Sequence, residues 1–410
     1  MDTGDFDRMR LGGVQAKDFG SEIEISANIG DKRLWYRVPS SFAGEVRAEA
    51  FVIAGLMSAM AKGESLEVSP ELRISRRLLG SLPTIQHILH AWIPALQIIN
   101  VRANCGLPAP PRPDAACFFS GGVDSAYTYL KHADEISHLI LIHGLDMHHD
   151  DQDSFARALG RGSEVADNLG KTIVPVRTNA REFCKASGLT MILFHGALLA
   201  SVSVLLGFQR NYIPASQTYN DLEPWGSHPL LDPLWSTEAC EIIYDGAEAR
   251  RIDKVRVVAE HPDMLASLRV CPGHGAGGNC GQCDKCLLTM IALRLVRAQT
   301  SAFPKLDVRQ TKNLLVNLDN LEFYLEMYEV AQEVGDAEIE KRLRSCLRRF
   351  EMKQLAKRAD AVFLGGMVRR LVGGFRGTPS KSALLRPEDP AHTTHSDTAA
   401  IRLWRTKALR

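Results

Sequence analysis

The sequence predicts an α/β protein built on an open, mostly parallel sheet with helices on both faces. Two observations lead to this expectation. Between Ala115 and Arg297, short apolar runs alternate with longer segments of helical pattern, and this βαβα rhythm is typical of parallel sheets. The run from Leu139 to His143 is almost continuously apolar, as expected for a strand that is buried on both faces.

The central block contains the clearest elements. Strands are expected over Ala116 to Phe119, Leu139 to His143, Thr172 to Val176 and Asn211 to Pro214. Helices are expected over Ser125 to His132, Ser154 to Leu169 and Leu189 to Leu206. We assign residues 115–300 to this α/β domain.

A smaller α/β domain is expected over residues 1–105. Glu22 to Asn28 alternates polar and apolar residues and Arg33 to Val38 follows a Gly-Asp turn, which is the pattern of two half-buried strands. Further elements are expected over Ala48 to Lys62 and Arg76 to Ala91 as helices, and over Ser65 to Val68 and Leu96 to Val101 as strands. Residues 106–114 are rich in proline, so we predict a stiff linker there that cannot join a sheet.

The last part of the chain changes character again. Leucines and Tyr328 recur at helical spacing from Leu314 onward, and basic residues predominate from Lys341 to Arg376. We predict a basic helical extension over 301–376 and a disordered tail over 377–410, where Pro, Ser, Thr and Asp are frequent. A solvated amphipathic helix is favoured over contact with a nucleic-acid backbone.

Bulk composition excludes some classes of protein. The chain has 410 residues, a net charge of +1 and 45% hydrophobic residues, which suits a globular protein of two or three domains. No apolar run has the length of about 18 residues that a membrane span needs, and no secretory signal is visible at the amino terminus. Nine cysteines, four of them clustered, favour a metal site in a reducing compartment, so a cytoplasmic location is expected.

The first chemical motif is the loop Ser120-Gly121-Gly122-Val123-Asp124-Ser125, which lies between a predicted strand and a predicted helix. Glycines allow a sharp turn and a close backbone approach, and the N–H groups that open a helix form an anion site. The serines add hydroxyl donors, and Asp124 is suited to orienting the loop or to binding Mg²⁺. The loop lacks the Gly-Lys-Ser/Thr ending of the common P-loop. We therefore predict that Ser120 to Ser125 bind the pyrophosphate of ATP, with Asp124 and Ser125 as the catalytic candidates.

The second motif is Cys271-x8-Cys280-x2-Cys283-x2-Cys286. Four thiolates can close a tetrahedral shell and leave no open position for chemistry, so a structural Zn²⁺ is expected. An iron–sulfur cluster is the alternative.

Together the two motifs resemble 7-cyano-7-deazaguanine synthase and related PP-loop ATP pyrophosphatases, over about Ala115 to Arg297. The resemblance implies an adenine nucleotide alpha hydrolase-like fold, a phosphate loop at Ser120 to Ser125, and a structural zinc on the four cysteines. It also implies a ligase that adenylates a carboxylate with ATP and Mg²⁺, releases pyrophosphate, and replaces AMP with ammonia or an amine to give an amide or a nitrile. The long amino-terminal segment and the basic tail are additions to the family pattern, and a different carboxylate, small or protein-borne, would accompany them.

Several other polar residues are candidates for ligand contact. Asp146 follows the second strand of the block and could hold a ribose or a metal, or cap a helix. His148, His149 and the aspartates after them could bind a metal, although a solvated loop is the preferred interpretation. Substrate contacts are expected from His195 and from a long polar loop that carries Ser227, His228 and Asp232.

Two competing functions remain open at this stage. One is a PP-loop sulfur transferase acting on tRNA, which would need a reactive cysteine near the loop. The other is a non-catalytic nucleotide-binding partner protein. The sequence predicts no membrane contact, disfavours a nucleic-acid partner and leaves homo-oligomerisation open.

Overall fold

The computed structural model describes residues 8–145, 148–271, 278–317 and 320–363. The chain divides into two compact units, one made of Met1–Ala249 with Glu260–Gly278 and the other of Arg250–Ala259 with Asn279–Arg410. The expected amino-terminal domain and the expected α/β domain thus share the first unit. Asp146 and the tail over 377–410 lie outside the described residues.

The first unit contains the strands of the protein's main sheet. In chain order the strands are β1 (Arg8–Asp18), β2 (Glu22–Ile29), β3 (Lys32–Pro39), β4 (Ser65–Val68), β5 (Arg73–Ser75), β6 (Val101–Arg102), β7 (Asn104–Gly106), β8 (Arg112–Phe118), β9 (Ile136–His143), β10 (Thr172–Thr178), β11 (Phe208–Pro214) and β12 (Glu241–Asp245). Its helices are α1 (Glu49–Lys62), α2 (Arg76–Trp92), α3 (Val123–Lys131), α4 (Gln152–Asn168), α5 (Ala180–Ala186), α6 (Met191–Leu206) and α8 (Pro262–Ala266), while α7 belongs to the second unit.

Ten strands form one mixed, mostly parallel sheet in the order β12-β11-β8-β9-β10-β3-β2-β1-β4-β6. The five strands from β12 to β10 are mutually parallel, and β3, β2 and β1 add antiparallel pairings. The predicted α/β class with a mostly parallel sheet is confirmed. Strands β5 and β7 form a separate parallel pair.

The amino-terminal strands continue the central sheet through β3 and β10. Arg177 and Thr178 pair with Arg37 and Tyr36, and the Thr178 hydroxyl donates to the Trp35 carbonyl at 2.7 Å. Helix α1 is buried along nearly its whole length and packs against α6, so it supports this part of the sheet.

The proline-rich segment is shorter than predicted. The structure places Gly106 at the end of β7 and Arg112 at the start of β8, so the stretch outside strands is 107–111. Pro113 is the second residue of β8. Proline has no N–H to donate to a neighbouring strand, and it is tolerated there because it lies at the start of the strand. Arg47 holds the segment by donating to the Ala109 and Pro110 carbonyls at 2.8 and 2.5 Å.

The second unit is helical. It contains α7 (Arg251–Ala259), α9 (Asp284–Leu295), α10 (Leu321–Glu333) and α11 (Ala337–Phe363). The helix expected from Leu314 begins only at Leu321, after a short 3-10 turn over Val308–Asn313. Helix α11 buries Ile339, Leu343, Leu347 and Phe350 on one face and exposes basic residues on the other, which is the amphipathic pattern predicted from the sequence. Among the described residues, no helix has the combination of length and hydropathy needed to cross a membrane.

The strand expected over Leu96 to Val101 is mostly absent. Only Val101–Arg102 pairs, as β6, and the residues before it are irregular. Backbone bonds from Leu96 to Ile93 and from Gln97 to Met60 take up groups that a strand would have offered to a neighbour. Leu96 is buried, whereas Ile98 is exposed, so this segment is a loop that bonds to α1 through the Gln97 backbone.

Candidate phosphate loop and cysteine centre

The loop Ser120 to Ser125 lies where the strand order reverses. The five parallel strands lie in the order β10-β9-β8-β11-β12. The first of these five in the sequence is β8, and it has β9 on one side and β11 on the other. Open α/β sheets bind ligands at this switch point, outside the carboxyl ends of the strands. The loop follows the carboxyl end of β8 directly.

The loop backbone makes a tight turn into α3. Gly121 has a φ of +77°, a conformation that favours glycine, and Gly122 is the extended residue before the helix. The Gly121 carbonyl accepts from the Arg269 N–H at 2.7 Å, which ties the turn to a distant segment. The first turn of α3 leaves backbone N–H groups without intrahelical acceptors, so they are available to an anion together with the positive end of the helix.

The side chains of the loop divide into two kinds. Ser120 is exposed, and Asp124 is half-buried. Val123 and Ser125 are buried, and the Ser125 hydroxyl donates to the Gly122 carbonyl at 3.0 Å. In this arrangement Ser125 fixes the turn, whereas Ser120 and Asp124 retain surface that is accessible to solvent.

The predicted substrate residues Ser227, His228 and Asp232 come together, but inside the protein. Asp232 is fully buried, and its carboxylate accepts from the Ser227 hydroxyl at 2.6 Å and from the His228 N–H at 3.3 Å. Burial raises the pKa of Asp232 to about 7, although both hydrogen bonds act against this shift. His228 packs edge-on against Trp92 at 4.9 Å, and burial lowers its pKa.

This buried group organises the loop between β11 and β12 beside α6. Gly226 donates to the Ile192 carbonyl at 3.0 Å, and a Cβ on Gly196 would lie 2.1 Å from the Gly226 carbonyl oxygen. His195 precedes Gly196 on α6 and is half-buried. The structure therefore places the backbone of α6 at Gly196, next to His195, against the loop that carries Ser227, His228 and Asp232.

Sequence inspection missed a charged network between α3 and the end of β12. Lys131 donates to Asp245 at 2.9 Å and to Glu248 at 2.6 Å, and the Tyr127 hydroxyl donates to Glu248 at 3.0 Å. His132 also contacts Asp245 at 3.0 Å. The Lys131 pKa is raised, because its hydrogen bonds to both carboxylates and the attraction of their charges outweigh the opposing effect of burial. These contacts fix the orientation of the helix that opens at the phosphate loop. The sequence signal for these contacts is the position of two acidic residues, with Asp245 ending β12 and Glu248 following it.

The sulfur atoms of Cys271, Cys280, Cys283 and Cys286 lie within 4.8 Å of one another. The Cys280 and Cys286 sulfurs are 3.9 Å apart. A tetrahedral zinc with Zn–S bonds of about 2.3 Å separates its sulfurs by about 3.8 Å. The predicted cluster is thus confirmed as a group that could hold a metal such as zinc.

The local backbone suits thiolate ligands. The N–H groups of Gln282 and Cys283 point at the Cys280 sulfur at 3.4 and 3.3 Å, and Cys283 precedes the first turn of α9. Both features favour negative sulfur. Gly281 has a φ of +69°, and a Cβ there would lie 2.3 Å from Pro304, so this turn requires glycine.

Comparison with known proteins gives no relative for this arrangement. No family model matches the chain, and neither a curated protein nor a solved structure matches it significantly. The class that fold and site define is an α/β protein with a glycine-rich loop at its switch point and a four-cysteine cluster. The functional assignment therefore depends on the residues themselves.

Proposed function

We propose that this chain is an ATP-dependent carbon–nitrogen ligase that forms AMP and pyrophosphate. The observation that carries the proposal is the position of Ser120 to Ser125 at the switch point of the parallel strands, between β8 and the amino terminus of α3. The motif resembles that of PP-loop enzymes, and its neighbours leave room for backbone contact with phosphate. Among the described residues, the atoms within 4 Å of a Cβ at Gly122 are Ser120 Oγ at 3.3 Å and the Arg269 carbonyl oxygen at 4.0 Å.

The chemistry follows from where charge develops. A carboxylate oxygen of the substrate attacks the α-phosphorus of ATP, the bond to the β-phosphate oxygen breaks, and pyrophosphate leaves. Loop N–H groups and the positive end of α3 stabilise the leaving pyrophosphate. Asp124 is the candidate ligand for the Mg²⁺ that accompanies ATP, which would supply Lewis-acid stabilisation of the phosphates. Ammonia or an amine then attacks the acyl carbon of the adenylate, and AMP leaves.

The competing sulfur-transfer function receives less support. Cys117, Cys184 and Cys240 are buried, and burial raises the pKa of each thiol. A thiol nucleophile must ionise to react. The thiol of Cys105 is exposed, but it lies in β7, a strand of the separate two-stranded sheet. The phosphate loop follows a strand of the main sheet.

Product analysis with labelled ATP tests the proposal. The carboxylated deazaguanine that the resemblance implies is the first substrate to supply, with ammonia and without RNA. Label at the γ-position should emerge as pyrophosphate and label at the α-position as AMP. Asp124→Ala should abolish turnover, whereas Asp134→Ala, an exposed aspartate just after α3, should retain it. Release of ADP and orthophosphate would refute the proposal, and a requirement for RNA would favour sulfur transfer.

A further inference from the structure

A second group of metal-ligating side chains lies at the same edge of the sheet. His148 and His149 follow β9, and Glu182 lies in the first turn of α5, directly after β10. Strands β9 and β10 are parallel neighbours, so residues after their carboxyl ends meet. This group is separate from both the four cysteines and the phosphate loop.

The two imidazoles converge on one carboxylate oxygen. Glu182 Oε1 lies 3.0 Å from His148 Nε2 and 3.1 Å from His149 Nδ1. All three ligand atoms lie within 4.8 Å of one another. Zinc binds imidazole nitrogen and carboxylate oxygen at about 2.0–2.2 Å, which separates ligand atoms by roughly 3.4 Å in a tetrahedral site. An ion could therefore enter after shifts of a few tenths of an ångström.

The outer nitrogens of the same imidazoles face another carboxylate. Asp150 Oδ1 lies 3.1 Å from His149 Nε2, and Asp150 Oδ2 lies 3.4 Å from His148 Nδ1. Histidines that bind metals commonly direct their second ring nitrogen at a carboxylate, which orients the ring and increases its basicity. Asp150 is thus placed to position both histidines.

The backbone of the loop is fixed around these rings. His143 Nε2 donates to the His148 carbonyl at 2.8 Å, and the Gln152 amide donates to the His149 carbonyl at 2.8 Å. His143 is itself fully buried and stacked on Phe155 at 4.3 Å. The backbone at both histidines is therefore held by side chains of β9 and α4.

Glu182 has an unsatisfied oxygen. Its Oε2 is buried and has no hydrogen-bond partner within the part of the chain that the structure describes. A buried carboxylate oxygen without a partner is costly. A bound cation would remove this cost.

We propose that His148, His149 and Glu182 bind a divalent transition-metal ion of the zinc class, with Asp150 positioning the two histidines. Two nitrogens and one carboxylate oxygen leave a coordination position open for water or an anionic ligand. The His148 side chain is 50% exposed, so this position is accessible from solvent. The site does not depend on the proposed ligase activity, because its ligands are outside the phosphate loop.

Cobalt titration distinguishes this site from the cysteines when the full chain is produced with cobalt at the cysteines and a mild chelator then removes only the weakly bound metal. Cobalt bound to four thiolates gives intense sulfur-to-metal charge-transfer absorption, whereas cobalt bound to nitrogen and oxygen gives only weak d–d bands. We expect the wild type to bind a second equivalent of cobalt with the weak bands alone. Glu182→Gln and His149→Ala should lose that equivalent and keep the thiolate bands. Asp150→Asn should weaken binding of the second equivalent by about 10- to 100-fold.

Matched controls and a folding check make the result decisive. Glu164→Gln and His87→Ala change exposed residues outside the group and should retain both equivalents. Thermal unfolding of the variants with only the cysteine site occupied should match that of the wild type in the same state. Saturation of the wild type at the thiolate site alone, or an undiminished second equivalent in Glu182→Gln, would overturn the proposal.

Discussion

Gly122 offers a direct test of the phosphate loop at the scale of one residue. Its φ of −81° suits any amino acid, so a side chain there disturbs the approach of a ligand more than the fold. Gly122→Val should lower pyrophosphate formation at least about tenfold, by occupying the space where phosphate meets backbone. Steady-state release of pyrophosphate measures the effect.

A valine control separates that steric effect from a general loss of stability. Gly160 lies in α4, and outside the helix's own backbone a Cβ there would meet no described atom within 4 Å. Gly160→Val should leave pyrophosphate formation unchanged. Equal activity of the Gly122→Val protein and the wild type would contradict the proposed role of the loop.

Asp232 should make the stability of the protein depend on pH. Burial raises the pKa of this carboxyl from 3.8 to about 7, so the folded state prefers the protonated acid. The corresponding stability is fully present below the unfolded pKa and is lost as the pH rises through about 7. Between about pH 5 and pH 8 the contribution should fall by roughly 2–3 kcal/mol.

Substitution isolates the Asp232 contribution from other titrating groups. We expect the free energy of unfolding of Asp232→Asn to fall less between these pH values than that of the wild type. Urea denaturation of both proteins at each pH provides the comparison. Parallel pH profiles for the two proteins would show that Asp232 titrates normally.

At the scale of elements, the contact between α6 and the loop after β11 depends on two glycines. A Cβ on Gly226 would lie 2.1 Å from the Leu193 carbonyl oxygen, and helix backbone cannot yield as a flexible side chain can. Gly226→Ala should destabilise the protein by about 1–3 kcal/mol. Gly80 lies in α2, where an added Cβ would meet no described atom within 4 Å outside the helix's own backbone. Gly80→Ala should instead stabilise the protein by about 0.5–1 kcal/mol. Unfolding free energies of the two variants test the contrast, and equal effects would rule out the backbone clash.

The cysteine turn before α9 gives a second prediction at this scale. A serine hydroxyl is a poor zinc ligand, and structural zinc contributes folding energy directly. Cys283→Ser should therefore lose one zinc equivalent by elemental analysis and become largely insoluble. Cys105→Ser removes an exposed thiol outside the cluster and should remain normal. A soluble Cys283→Ser protein with full zinc content would argue against the site.

Periodic elements were predictable, and elements defined by distant partners were not. Helix α1 ends at Lys62, as the Gly63 stop signal indicates, and β2 and β3 follow their alternating pattern closely. Strands β5 and β7 escaped prediction because each is three residues long and each is stabilised mainly by the other. The phosphate loop and the four cysteines were recognisable because their residues lie at short, fixed spacings in the sequence. The burial of Asp232 depends on Trp92 and α6, which local sequence cannot reveal.

At the scale of the whole molecule, the amino-terminal segment depends on the rest of its unit. The Ser201 hydroxyl of α6 contacts both the Tyr36 hydroxyl at 2.6 Å and the Ala50 carbonyl at 2.7 Å. Residues 1–113 expressed alone would expose the apolar surface of α1 and the edge of β3. Open strand edges and apolar patches favour aggregation.

We therefore expect the fragment 1–113 to be insoluble alone and to be recovered as a complex when residues 114–410 are co-expressed. Size-exclusion chromatography after affinity capture of one fragment measures this. A soluble, monomeric 1–113 fragment with a sharp thermal transition would instead support the separate domain that the proline-rich segment suggests. The outcome decides whether that segment is a domain border or an internal connection.

The pairing of β3 with β10 also determines when the amino-terminal strands can complete their folding during protein synthesis. The Trp35 N–H donates to the Asn179 side chain across 144 residues of sequence. A ribosome adding about 5–20 residues per second needs roughly 7 to 30 s to make that intervening chain. Throughout this interval the edge of β3 that pairs with β10 is open, and α1 lacks the helix α6 that covers it. During translation the amino-terminal segment therefore exposes an open strand edge and an apolar helix face, which is the kind of surface that chaperones protect.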